Sequence, residues 1–213
     1  MPDPVVFGAA YSVYVRIVRL ALAEKQVAYR LDEIDIFANR DDPRLRHPFG
    51  RIPTFEHDGF ELYETMAIVR YIDEAFPGVP LQPTSPRARA RVNQITAILD
   101  CYTYRPLVWG IYMERIDAPR SGRAPDEAVV SSSIPQVRRC FAELAHVMGD
   151  APFLAGDALT LADVHAAPMF AYGLAAPEGK ALMAEQPTLT AWWSRMAQRP
   201  AMTMTRPSDI VAS

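Results

Sequence analysis

Hydrophobic and polar positions in residues 1–76 follow two alternating periods. Residues 4–8 form a short apolar run of strand length. Residues 12–26 then carry apolar side chains at helical spacing, with Val15, Val18 and Leu22 on one face. This pattern predicts a strand followed by an amphipathic helix.

The next segments predict the rest of a small sheet. Residues 29–36 (YRLDEIDI) alternate as a half-buried strand does, and residues 37–50 are polar, with the prolines and glycine of a loop. Residues 54–63 hold two short runs around Asp58-Gly59, a strong hairpin signal, and residues 64–76 return to helical spacing. Because a βαβ unit requires a parallel pair and a hairpin an antiparallel one, we expect a mixed sheet with helices packed on it.

A proline-rich break follows at residues 77–86 (PGVPLQPTSP), and beyond it no segment alternates convincingly at period two. Pro106 and Pro135 fall within predicted helices, so a kink or bend is expected at each. The helical segments that the apolar spacing predicts are residues 87–116, 126–148, 160–172 and 188–198.

The chain is long enough for two domains. Its 213 residues are 50% hydrophobic, which suffices to bury a sizeable core. We expect an α/β domain at residues 1–78, a linker at residues 79–86 and an all-helical domain at residues 87–213.

The composition of the chain excludes several classes of binding partner and ligand. The net charge is −3 with both signs interspersed, which lacks the basic stripe of a nucleic-acid binder. No apolar stretch reaches about 18 residues, so no membrane span is expected. The start MPDPVVFGAA lacks a basic region followed by an apolar run, so no signal peptide is expected. Two cysteines give no disulfide framework, which suits a reducing, cytoplasmic location. The four histidines lack metal-binding spacing, so no metal is expected.

Candidate chemistry begins at Ser12, where the first strand meets the first helix. A helix N-terminus carries a partial positive charge and unpaired N–H groups, so it stabilises a sulfur anion placed there. The Ser12 hydroxyl can donate a further hydrogen bond to that anion. Serine is also a favoured helix cap, so a purely structural role is the alternative.

Two further features lie near the predicted hairpin. Pro53 precedes a strand, and a cis Ile52–Pro53 bond would turn the Ile52 backbone outward as a peptide-binding edge. Thr65 can offer its hydroxyl and N–H to a carboxylate at a helix start, while Glu64 can face an ammonium group. An ordinary trans proline and an ordinary acidic helix start are the alternatives.

Taken together, these segments resemble the cytosolic glutathione S-transferase family. The resemblance rests on SVYVRIVRLALAEKQVAYRL, on HPFGRIPTFEHDGFELYETMAIVRYIDEAFP and, in the second half, on APFLAGDALTLADVHAAPMF. It covers residues 4–200 and is nearest to the serine-type classes, phi, theta and zeta. It implies a thioredoxin-like N-terminal domain, an all-α C-terminal domain, glutathione as co-substrate and a homodimer.

The resemblance also implies roles for individual residues. Ser12 would activate the glutathione thiol, Ile52-Pro53 would contact the cysteinyl backbone, and Glu64-Thr65 would hold the γ-glutamyl end. Arg51 stands where glutamine or lysine is more usual and could contact the glycyl carboxylate. Thr65 stands where serine is more usual, with its hydroxyl retained.

Some assignments stay open. Tyr11 is the rival of Ser12, because a phenol is also a good donor and some classes of the family use tyrosine. His47, where asparagine is usual before Pro-Phe-Gly, is expected to be a loop residue rather than a ligand. No cysteine lies near the first helix start, which argues against disulfide exchange.

A small hydrophobic electrophile would occupy an apolar pocket between the two domains. The aromatic-rich stretch on the long helix supplies most of its candidate lining, for each of which a place in the helix core is the alternative. The candidates are Tyr14, Tyr104, Trp109, Tyr112 and Met113. A non-catalytic binding or assembly module, and another glutathione-dependent enzyme such as an isomerase, dehalogenase or peroxidase, remain alternative functions.

Overall fold

The computed structural model describes residues 3–208, so the few predicted domain residues beyond those limits lie outside the described chain. The described residues divide into two compact units, residues 3–81 with 200–208 and residues 82–199. The change from the first unit to the second falls inside the segment predicted as a linker. Residues 200–208 belong to the first unit, whereas the sequence had suggested an uninterrupted helical domain to the end of the chain.

A buried arginine explains that return of the chain. Arg16, in the first helix of the first unit, donates from Nη2 to the backbone oxygen of Met202 at 3.0 Å. Both residues are buried, as is Thr205. A buried guanidinium needs acceptors, and a backbone carbonyl of the terminal segment supplies one.

The first unit is built on a four-stranded sheet in the order β2-β1-β3-β4. Strand β1 pairs in parallel with β2 and antiparallel with β3, and β3 pairs antiparallel with β4. This confirms the predicted mixed sheet. The elements of this unit are β1 (Val5–Phe7), α1 (Val13–Glu24), β2 (Arg30–Asp32), β3 (Thr54–His57), β4 (Phe60–Tyr63), α2 (Thr65–Ala75) and α9 (Pro200–Met204).

Strand β2 is shorter than the alternation of residues 29–36 predicted. The Asp35 carboxylate accepts hydrogen bonds from the backbone N–H groups of Phe37 and Ala38, at 2.9 and 3.2 Å. An aspartate that bonds its own following backbone forms a turn, and this turn competes with the strand ladder. The polar loop predicted at residues 37–50 therefore begins a few residues earlier.

A buried ion pair fastens the far ends of α1 and α2. The Lys25 ammonium donates to the Asp73 carboxylate at 3.1 Å, and the same carboxylate oxygen accepts from the Leu81 N–H at 2.8 Å. Both charged side chains are almost fully buried. Because breaking a buried pair leaves an unpaired charge, this contact fixes the two helices relative to each other within the unit.

The second unit is entirely helical in its described part, which confirms the predicted fold class. None of the helices over residues 3–208 is both long and apolar enough to cross a bilayer. Its elements are α3 (Pro86–Ile98), π1 (Leu99–Thr103), π2 (Arg105–Asp117), α4 (Ala118–Arg120), α5 (Glu127–Met148), α6 (Leu161–Gly173), α7 (Pro177–Ala184) and α8 (Pro187–Ala197).

The two prolines that were expected to disturb helices act differently. Around Pro106 the long helix widens into the π-helical segments π1 and π2, while α5 continues through Pro135. Pro106 has no N–H to donate to the carbonyl of Tyr102, four residues earlier. That carbonyl accepts a hydrogen bond from the Cys140 thiol at 3.3 Å instead.

Asp163 is the polar centre of the second unit. It is fully buried in the first turn of α6. Its carboxylate accepts from the Thr160 N–H and hydroxyl, at 2.8 and 2.9 Å, and from the Leu154 N–H and Trp192 indole N–H, both at 2.8 Å. This is a capping box extended to two further partners, so one carboxylate joins a loop, α6 and α8.

We expect Asp163→Ala to lower the free energy of unfolding by about 3–5 kcal/mol, because it strands several buried donors at once. Urea unfolding followed by circular dichroism measures this. Asp157→Ala, at an exposed aspartate of the preceding loop, is the matched control and should stay within about 0.5 kcal/mol of the parent. Equal losses in the two variants would contradict the assigned role.

Candidate functional site

Ser12 caps the first helix. Its backbone is extended (φ −67°, ψ 129°), and its Oγ accepts from the Val15 N–H at 3.4 Å. The Ser12 N–H itself donates to the Ala9 carbonyl at 2.9 Å. Since a hydroxyl both accepts and donates, accepting from Val15 leaves the Ser12 proton able to bond a ligand at the helix start. The capping role and a role toward a sulfur anion are therefore compatible.

Tyr11 has a different hydrogen-bond partner. Its hydroxyl donates to Asp35 Oδ1 at 2.6 Å, on the same carboxylate that forms the turn after β2. Burial, the bond to Asp35 and the nearby negative charges of Asp35 and Glu33 all raise the pKa of Tyr11. The same bond lowers the pKa of Asp35. Tyr11 is thus held as a neutral phenol whose proton is directed at a carboxylate.

The register of the sheet brings the other predicted residues to the same edge. Phe7 lies opposite Thr54, and Thr54 lies opposite Tyr63. The residue that follows Phe7, the one that precedes Thr54 and the one that follows Tyr63 therefore emerge side by side. These three residues are Gly8, Pro53 and Glu64.

Close packing at Gly8 joins this edge to the start of α1. A β-carbon on Gly8 would lie 2.5 Å from Val15 Cγ2 and 3.0 Å from Ile52 Cβ, and its φ is +147°. Only glycine fits between these side chains. The first turn of α1, which begins after Ser12, thus lies directly against the Ile52 segment.

The Ile52–Pro53 peptide bond is cis, as the resemblance implied. Ile52 is half-buried, and the neighbouring Arg51 side chain is exposed. Arg51 is near enough to the His47 imidazole to affect its pKa. An exposed cation therefore directly precedes Ile52 in the chain.

Glu64 and Thr65 begin α2 at the same edge. Glu64 has a left-handed backbone (φ 68°), uncommon for a residue other than glycine, and its carboxylate is 65% exposed. Thr65 is buried as the first residue of the helix. Strained backbone of this kind gathers at ligand sites, where the surrounding structure holds it in place.

His47 is the residue whose place the sequence did not reveal. Its side chain is only 3% exposed, and Nε2 lies 3.7 Å from Glu64 Oε1. Burial lowers its pKa, Glu64 opposes that shift and Arg51 adds to it. One sign in the sequence marks this position as unusual, because a histidine stands here in place of the usual asparagine before Pro-Phe-Gly.

The residues predicted to line the electrophile pocket differ in burial and in the helix that carries them. Tyr14 is half-buried in the first turn of α1. Tyr104 and Met113 are half-buried on the long helix, while Tyr112 is buried and packs edge-on against Tyr172 with ring centroids 4.7 Å apart. Trp109 is 44% exposed. The structure thus places Tyr112 in the helical core.

Trp109 lines a groove within the second unit, between the π-helical segments and α5. The groove has a volume of about 790 Å³. Tyr102 and Arg105 lie on its π-helical wall, and Val129, Gln136 and Cys140 lie on the α5 wall. Among residues 3–208, no group of three or more His, Cys, Asp or Glu side chains is arranged to hold a metal ion.

Family models match both units. Residues 6–80 match the model described as the glutathione S-transferase N-terminal domain, and residues 101–200 match the corresponding C-terminal domain. Together the two matches cover more than three quarters of the chain.

Known proteins are similar along almost the whole length. Glutathione S-transferase F13 of Arabidopsis thaliana is 27% identical over 97% of this chain and 96% of its own length, and F6 of the same plant is 28% identical over 92% and 95%. The crystal structure of glutathione transferase F7 from Populus trichocarpa is 28% identical, with a TM-score of 0.84 over 95% of this chain and 97% of its own.

A mixed four-stranded sheet with a serine-capped helix, a cis-proline and a Glu-Thr pair at one edge defines a thioredoxin-like domain. In this chain an all-helical unit accompanies it. The chain belongs to the glutathione S-transferase family and is a transferase of that type.

We expect Gly8→Ala to destabilise the protein by about 2–3 kcal/mol, since the added methyl overlaps Val15 and Ile52. Thermal and urea unfolding give the loss. Gly59→Ala is the matched control, because Gly59 also has a positive φ but open space at its β-carbon; it should cost about 1 kcal/mol. If both variants lose the same stability, the close contact at Gly8 has no role.

Proposed function

We propose that this protein binds glutathione, lowers the pKa of its thiol through Ser12, and transfers the sulfur to a small hydrophobic electrophile. It is on this proposal a serine-type enzyme. Glutathione supplies the nucleophile, and the protein supplies activation and proximity. The reaction needs no metal.

One observation carries the proposal: the Ser12 cap and the row of residues at the sheet edge adjoin through Gly8. A tripeptide thiol laid along that row would have its sulfur at the start of α1. The partial charge of the helix terminus and the Ser12 hydroxyl would both stabilise the thiolate there.

The remaining edge residues suit the other parts of glutathione. The backbone of Ile52 can pair with the cysteinyl residue, and the Arg51 guanidinium can bind the glycyl carboxylate. The exposed Glu64 carboxylate can receive the γ-glutamyl ammonium, while the N-terminus of α2 at Thr65 attracts the γ-glutamyl carboxylate.

Ser12 is preferred to Tyr11 as the thiol activator because Tyr11 already donates to Asp35 at 2.6 Å. A phenol whose pKa is raised by a carboxylate is a poor partner for a second anion. In this proposal Tyr11 holds the turn after β2, and its hydroxyl does not reach the sulfur.

The electrophile is proposed to lie beside the thiol, against the half-buried Tyr14. Tyr104 and Met113, both half-buried, stay candidates for its lining. The sequence also makes Trp109 and Tyr112 candidates for the same pocket. The packing of Tyr112 on Tyr172 and the place of Trp109 in the groove favour other roles for these two.

We also propose that the protein is a cytoplasmic homodimer. Both cysteines, Cys101 and Cys140, are free thiols, which suits a reducing compartment. The first unit exposes Phe49, which is 72% accessible, and the groove of the second unit exposes Tyr102 and Trp109. A second copy would cover these aromatic surfaces.

We expect Ser12→Ala to raise the pKa of bound glutathione toward the value of about 8.5 for a free cysteine thiol, and to lower kcat by about 100-fold. Thiolate absorbance against pH measures the first effect, and conjugation of a chlorodinitrobenzene probe measures the second. Ser85→Ala is the matched control, because Ser85 caps α3 in the same way, accepting from the Ala88 N–H at 3.2 Å.

Tyr11→Phe separates the rival assignments and should leave the thiol pKa unchanged. If it raises that pKa while Ser12→Ala does not, the assignment to Ser12 is wrong. If the wild-type protein does not bind glutathione, that result would support a non-catalytic module. Binding with isomerised, dehalogenated or reduced products would support another glutathione-dependent reaction.

We expect the wild-type protein to sediment at twice the mass of one chain. Phe49→Ser and Trp109→Ser should each shift it toward monomer by at least about tenfold in Kd, because each removes a large interface side chain. Phe37→Ser, at a similarly exposed phenylalanine, is the control. A monomeric wild type at micromolar concentration would overturn the dimer.

A further inference from the structure

His47 is a buried ring beside the sheet edge that we assign to glutathione. The His47 ring packs against Tyr63, with ring centroids 4.9 Å apart, and against Phe49, at 5.8 Å. Tyr63 ends β4 directly before Glu64. The imidazole is therefore fixed in place between its own loop and the start of α2.

The hydrogen bonds of His47 define its protonation. The Phe49 N–H donates to Nδ1 at 3.2 Å, so Nδ1 is the unprotonated acceptor. The proton of the neutral ring is then on Nε2. That N–H group is the one nearest the Glu64 carboxylate, 3.7 Å from Oε1.

Glu64 needs such a neighbour if it is to bind an ammonium group in one position. Its backbone is left-handed, its side chain makes no capping hydrogen bond to α2, and its carboxylate is largely exposed. A free glutamate side chain has several rotamers, and fixing it costs conformational entropy. A nearby N–H dipole on a rigid ring reduces that cost before the ligand arrives.

We propose that His47 is a positioning residue for glutathione, which aims the Glu64 carboxylate at the γ-glutamyl ammonium through Nε2–H and holds the loop before Arg51 through Nδ1. This inference rests on the proposed glutathione site. It adds a residue that acts through Glu64 without touching the thiol, so its effect falls on binding and leaves the chemistry at sulfur unchanged.

The proposal gives the site a specific pH dependence. The ionisable groups that face His47 are Glu64 at the start of α2, Tyr63 at the end of β4 and Arg51 on its own loop. Burial and Arg51 lower the pKa of His47, and Glu64 opposes them, so the ring is neutral at pH 7. The contribution of the neutral ring to glutathione binding is complete above the unfolded-state pKa of about 6.5. It is lost as the pH falls through the lower pKa that His47 has in the folded protein.

Protonation has a local consequence at Nδ1. The added proton turns this acceptor into a donor that faces the Phe49 N–H. Two donors then oppose each other, so the loop leading to Arg51 loosens while Glu64 is drawn to the charged ring. The first change weakens the contact of Arg51 with the glycyl carboxylate, and the second weakens the binding of the γ-glutamyl ammonium by Glu64.

Two substitutions of His47 separate its two contacts. Asparagine keeps an acceptor for the N–H two residues on, as in an Asx turn, but has no group at the Nε2 position. Because it loses the packing of the ring but keeps the acceptor, we expect His47→Asn to lower the melting temperature less than His47→Ala does and to raise the Kd of S-methylglutathione about fivefold. His47→Ala loses both contacts and should show weaker binding together with a lower melting temperature.

S-methylglutathione is the probe because it has no free thiol, so Ser12 and thiol ionisation do not enter. Calorimetric titration between about pH 5 and pH 7 should show that the wild type binds more weakly as the pH is lowered. The affinity of His47→Asn should depend less on pH. An analogue without the γ-glutamyl amino group should bind both proteins equally. Conjugation at saturating glutathione should keep its kcat in His47→Asn.

A double-mutant cycle with Glu64→Gln tests whether His47 acts through Glu64. If it does, His47→Asn has little further effect in the Glu64→Gln background. If the wild type binds S-methylglutathione and His47→Asn binds it with the same Kd and the same pH dependence, the inference is overturned while the proposed function stands. Failure of the wild type to bind either glutathione or its S-methyl derivative would overturn both.

Discussion

The registration of three strands is the constraint on which the site depends. Because Phe7 pairs with Thr54 and Thr54 with Tyr63, the chain must place Gly8, Pro53 and Glu64 at one edge of the sheet. A slip by one residue would turn every side chain of the slipped strand to the other face and bury the wrong set. Core packing through Val6 and Phe55 therefore fixes the same register that aligns the residues of the proposed glutathione site.

The edge can serve as the proposed thiol site only because a helix begins beside it. Gly8 leaves no room for a side chain, because Val15 in the first turn of α1 and Ile52 both lie close to its backbone. The helix terminus brings its partial positive charge with it. The buried pair of Lys25 and Asp73 holds the other end of α1 to α2, so a contact at the far ends of the two helices also limits how their starts can move.

The parts of this arrangement that could be predicted from sequence are those with local signals. The hairpin followed from Asp58-Gly59, and α1 and α2 followed from their apolar spacing. The end of β2 at Asp32 could not be predicted, because the turn at Asp35 also depends on a hydroxyl 24 residues away. The burial of His47 and the return of residues 200–208 depend likewise on distant partners, which a local pattern does not contain.

Ser12 and Asp163 show how one local device serves two ends. Both occupy the first turn or cap of a helix, where unpaired N–H groups need an acceptor. Asp163 is fully buried, and its four donors use its acceptor capacity within the fold. Ser12 is half-buried and accepts from Val15, while its proton can still be donated. A capping motif in the sequence is therefore compatible with either role. What separates the two is how many partners the folded chain brings to the capping side chain, and whether a ligand can reach it.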